Sequence, residues 1–127
     1  MFRIDQDKTV HITRGDIAGI NITAKMSDNT AYTFINGDVV RLKVFEKKDC
    51  NCVVLQKDVV VKEEGTSVEI ALDGTETKIG DLINKPKDYW YEVELNPDTA
   101  PQTIIGYDDS AKIFRLYPEG SDVRWIF

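Results

Sequence analysis

Few side chains in this sequence of 127 residues have the type and spacing that chemistry needs. The single histidine is His11, in the alternating run Thr9–Thr13. A His-based hydrolase needs a nucleophile and an orienting carboxylate beside it. Alternation points His11 away from the Val10 and Ile12 face, so it is expected at the surface or rim. Cys50-Asn51-Cys52 could chelate a soft metal or close a small disulfide ring. Two cysteines and one histidine are too few for a tetrahedral zinc site. A pair of reduced thiols at a strand entry is the expectation. Glu92 and Glu94 share one strand face with Trp90, a spacing that invites the paired carboxylates of a glycosidase. On a sheet that face is ordinarily solvated. No Gly-rich phosphate loop, G-x-S-x-G elbow or H-E-x-x-H is present. We therefore expect no catalytic residue, no cofactor and no metal. Arg14-Gly15-Asp16 reads as a strand-to-strand turn with two rim charges, and Asn21-Ile22-Thr23 as part of a strand.

The aromatic groups hold more promise as a binding surface. Tyr89, Trp90 and Tyr91 are consecutive, so Trp90 faces opposite to its neighbours. With Tyr91, Val93 and Leu95 inward, Trp90 could stack a sugar, plug a subunit interface, or lie under the connector Thr75–Lys85. Val123, Trp125 and Phe127 alternate with Arg124 and Ile126 after the polar stretch Glu119–Asp122. Residues 119–127 read as a C-terminal tail that is either a last strand on its own core or an arm docked on a neighbour. Trp90, Val123, Trp125, Ile126 and Phe127 are the candidate interface residues.

These groups must be positioned by strands, because period two dominates. Ile20, Ile22, Ala24 and Met26 alternate with polar residues, as do Val40, Leu42 and Val44. Val68, Ile70 and Leu72 repeat the pattern, as do Tyr91, Val93 and Leu95. One apolar and one polar face per strand suits antiparallel sheets. Ser27-Asp28-Asn29, Asn36-Gly37-Asp38, Glu64-Gly65, Asp73-Gly74 and Asn96-Pro97-Asp98 supply turn chemistry between the runs. Strands are expected near 9–13, 17–26, 31–35, 39–46, 52–61, 66–72, 88–95, 103–107 and 111–117. From Thr75 to Lys85, Leu82 and Ile83 follow Ile79 by three and four residues, which predicts a short helical connector closed by Pro86. The expected fold is all-β: an antiparallel β-sandwich over 1–118, followed by the tail 119–127.

Composition narrows the function classes. Net charge is −6, with 42% hydrophobic and 30% charged residues. Phosphate contacts need clustered Lys and Arg, so a nucleic-acid binder is not expected, nor docking on an anionic membrane. The longest apolar run is Cys52–Leu55, and no apolar signal core follows Met1.

Several segments together resemble a known family. They are Ile12-Thr13-Arg14-Gly15-Asp16, Tyr32-Thr33-Phe34, Gly37-Asp38-Val39-Val40-Arg41-Leu42-Lys43-Val44, Tyr91-Glu92-Val93-Glu94-Leu95 and Thr103-Ile104-Ile105-Gly106-Tyr107. Across residues 9–117 the layout resembles the N-terminal domain of phage baseplate upper proteins. The resemblance implies an immunoglobulin-like sandwich and a non-enzymatic structural protein of a tailed-phage virion. Capsid decoration, head–tail accessory and baseplate component are the roles it suggests. Other virion proteins would be its partners, in a symmetric homo-oligomeric assembly, after synthesis in the bacterial host cytoplasm. A carbohydrate-binding module displaying Trp90 or Trp125 is the alternative.

Overall fold

The computed structural model describes residues 2–26, 28–48, 52–106 and 112–119. Among the described residues nine strands form two layers: β1 (Phe2–Ile4), β2 (Val10–Thr13), β3 (Ala18–Ile22), β4 (Val39–Phe45), β5 (Val53–Val60), β6 (Val68–Leu72), β7 (Lys87–Leu95), β8 (Gln102–Ile105) and β9 (Lys112–Tyr117). The larger sheet runs β1-β2-β9-β7-β4-β5, with β8 also paired to β7. The smaller is the antiparallel pair β3-β6. No helix occurs among the described residues.

The alternation sets the core. Ile20, Ile22, Val40, Leu42, Val44, Val68, Ile70, Val93, Leu95 and Leu116 are all buried, joined by Phe34, Tyr89, Tyr91 and Phe114. Register agrees with pattern, since Val40, Leu42 and Val44 lie opposite Leu95, Val93 and Tyr91. Burying such side chains contributes roughly 1.5–3 kcal/mol each. The turns form where their chemistry stands: Asn29 and Asn96 take positive φ, at 71° and 48°. The Val39 N–H donates to Asn96 Oδ1 at 2.8 Å, which ties the start of β4 to the end of β7.

Three expectations are corrected. The sheet is mixed rather than purely antiparallel, because β2 and β9 pair in parallel, from Val10↔Phe114 to Thr13↔Tyr117. Residues 31–35 form no strand; Ala31 and Phe34 make single bridges, to Lys25 and Gly65. The connector is not helical. Asp73 Oδ1 accepts the N–H groups of Thr75 and Glu76, which closes a turn at 74–77, and Gly80 at φ +66° leaves helical space. Only Ile79 of its apolar residues is buried, while Leu82 is 67% exposed. Alternation does not predict β1 at all, since its three residues are too few to show a period.

Candidate functional site

The outer face of the larger sheet gathers the side chains that point away from the core. Across β4, β7 and β9, Phe45 lies opposite Trp90, and Trp90 opposite Ile113. Val53 of β5 faces Phe45 across a bulge, so four strands contribute one apolar row. Phe45 is buried, Trp90 and Ile113 are half-buried, and Val53 is 41% exposed. Trp90 is therefore neither fully open nor hidden. The connector does not cover it, because Ile79 belongs to the core and Gly80 lies near the Tyr89 hydroxyl, on the inner side.

Charged bands flank this row on both sides. On one side Lys43 Nζ lies 2.9 Å from Glu94 Oε1, and Arg41 joins Asp58 at 2.8 Å and Asp98 at 3.0 Å. Hydrogen bonds to Asp58 and Asp98 hold the Arg41 guanidinium above its ordinary pKa. Glu92 lies opposite Lys43 in this band. Burial first, then the nearby Glu94 charge, pushes its carboxyl above the usual glutamate value, although Lys43 pulls the other way. Glu92 and Glu94 thus share a face as expected. Among the described residues no group of three His, Cys, Asp or Glu could hold a metal.

On the other side Arg115 Nε donates to Asp88 Oδ1 at 2.7 Å and its Nη2 to Oδ2 at 3.2 Å, a bidentate pair. Beyond it lies His11, and here the structure corrects the rim reading. His11 does face outward, opposite Arg115 and Arg3, yet it is 4% exposed. Its Nε2 is 2.8 Å from Asp5 Oδ2 and its Nδ1 2.7 Å from Tyr117 Oη. The Asp5 carboxylate accepts an N–H from Nε2, and the Tyr117 hydroxyl pairs with Nδ1. A hydroxyl, an imidazole and a carboxylate in line resemble a catalytic triad in connectivity. Here they clasp three strands together: β1 through its following turn, β2 and β9.

Arg14 is the second rim residue that proves buried, at 8% exposure. It donates to the Ile79 and Gly80 carbonyls and pairs with Glu119 Oε1 at 2.7 Å. It therefore fastens the connector and the end of β9 to the β2–β3 turn. A lone Arg in a three-residue turn motif gave no sign of this, because all three partners are distant in sequence.

Cys52 is disulfide-bonded, which overturns the reduced-thiol reading. Cys50 lies outside the described residues. So do Val123, Trp125, Ile126 and Phe127 of the candidate interface, and of that set Trp90 alone is placed. The apolar partners Phe45, Ile113 and Val53 were missed. Their alternation was visible, but their cross-strand register was not.

No family model matches the chain, and neither curated proteins nor solved structures yield a match.

Proposed function

We propose that this protein is a non-enzymatic structural component of a tailed-phage virion. It binds other virion proteins through the outer face of its larger sheet, in a symmetric assembly. The single observation that carries the binding reading is the row Val53–Phe45–Trp90–Ile113 between two ion-paired bands. An apolar centre with a charged rim is the anatomy of a protein interface, and Trp is among the residues enriched at its hot spots. Repeated copies multiply such contacts into a stable lattice.

The phage assignment is supported by the family resemblance of residues 9–117. Strand order supports the immunoglobulin-like layout that this resemblance implies. Four strands β9-β7-β4-β5 face the pair β3-β6, the layout of the G-F-C-C′ and B-E strands in an immunoglobulin-like sandwich. Purified virions test the assignment. The protein is expected in washed particles at a fixed copy number, and in particles grown without it only after the protein is added back. Its absence from washed particles would overturn the virion reading. Binding of a glycan that Trp90→Ala abolishes would favour the carbohydrate-binding alternative.

A further inference from the structure

Resting on the docking reading of this face, we propose that the partner protein presents an arginine, stacked on the Trp90 ring with its guanidinium on the Glu92 carboxylate. Trp90 and Glu92 stand side by side on the outer side of β7, because Tyr89, Tyr91 and Val93 take the inner side. Both are half-buried. Neighbours on one face of a strand are about 6.6 Å apart, so one long side chain lying over the indole reaches the carboxylate.

The cations near Glu92 are engaged elsewhere. Lys43 lies opposite it in register, yet Lys43 Nζ is held at 2.9 Å by Glu94 Oε1. Arg41 spans Asp58 and Asp98, Arg115 takes Asp88, and Lys87 reaches Glu46 at 3.9 Å. Each of those carboxylates has its cation. Among the described residues none makes a hydrogen bond or ion pair with Glu92, which feels only the more distant pull of Lys43. A carboxylate drawn partly out of water without a counter-ion opposes folding. A local cost of this kind is expected at a functional site, where a partner supplies the missing charge.

The pair of groups selects arginine over lysine. A planar guanidinium stacks on an aromatic face and forks onto a carboxylate, whereas an ammonium is a compact point charge. The methylene stem of an arginine also suits the apolar row beside Trp90. The partner is a different chain rather than a second copy. Arg3, Arg14, Arg41 and Arg115 each already sit on a carboxylate, at 3.2, 2.7, 2.8 and 2.7 Å. Among the described residues, then, every arginine that a second copy could offer would have to break a pair first.

Co-sedimentation with particles assembled without the protein, at low and at high salt, tests the proposal. The wild-type protein should pellet less at high salt, since an ion pair at a rim is screened. Glu92→Gln should fold at least as stably, yet bind roughly tenfold more weakly at low salt. It should also lose part of the salt dependence. Glu69→Gln removes an exposed carboxylate from the smaller sheet and should pellet like the wild type. Equal binding by Glu92→Gln and wild type, with Trp90→Ala still weakened, would overturn the arginine contact and leave the docking face standing. An equal loss in Glu69→Gln would trace the effect to net charge and overturn the contact too. No pelleting of the wild type would remove the docking reading and this inference together. Sedimentation of the wild-type protein alone as a dimer that Glu92→Gln dissolves would put a second copy in the partner's place and overturn the proposal.

Discussion

Glu92 and Asp38 are two carboxylates whose environments push in opposite directions. For Glu92, burial and the Glu94 charge disfavour ionisation, so its folded-state pKa lies above the unfolded value. The ionised group then opposes folding at neutral pH, and that penalty fades as pH falls through its raised value. Glu92→Gln is expected to raise the melting temperature at pH 7 and to lose that gain by pH 4, measured by thermal unfolding. Burial also pushes Asp38 up. Hydrogen bonds from the Ile35 N–H, the Asn96 amide and the Tyr32 hydroxyl outweigh it and hold Asp38 below the usual aspartate value. Its stabilisation is full above the unfolded pKa and is lost as pH falls through the lowered one. Asp38→Ala should cost about 1–3 kcal/mol at pH 7 in denaturant unfolding, and less near pH 3. At this scale the sequence was legible in direction only. Alternation put His11 on the outer face correctly. It could not show that Asp5 and Tyr117, 6 and 106 residues away, would close over it.

Strands were the most readable elements where one strict apolar face runs through them, as in β4, β6 and β7. β4 and β7 differ by one residue at one boundary from the ranges that alternation predicts. The failures have local causes. Spacing of apolar residues suggested a helix in the connector, but its backbone is committed elsewhere. Asp73 caps the turn, and the Thr77 hydroxyl donates to the Asp16 carbonyl at 2.7 Å. The connector is thus sewn to the β2–β3 turn. A Cβ on Gly74 would stand 2.6 Å from the Gly15 carbonyl oxygen, so these two turns meet backbone to backbone. Gly74→Ala should therefore destabilise the fold by about 1–3 kcal/mol, read as a lower denaturant midpoint with an unchanged slope. An unaltered midpoint would mean that the turns can part at no cost.

Across the whole molecule, a wide mixed sheet is packed against a pair of strands. Period two carries no information on strand direction, which is why the parallel β2–β9 pairing was not foreseen. It joins the two ends of the described chain, a contact that no local pattern encodes. The core itself was foreseen. Leu42, fully buried on the central strand β4, should cost roughly 2–5 kcal/mol when truncated to Ala. Thermal and denaturant unfolding check this, and an unchanged melting temperature would contradict the two-layer core. The wide sheet also explains why the apolar row lies where it does. Only an outer face four strands across can set Val53, Phe45, Trp90 and Ile113 side by side. The claim that this face docks the protein in a virion is tested most directly by co-sedimentation with particles assembled without it. The wild-type protein should pellet with them. Trp90→Ala, with its melting temperature retained, should bind more weakly by roughly 2 kcal/mol or more, about thirtyfold. Equal pelleting of the folded Trp90→Ala protein, or no pelleting of the wild type, would contradict the account.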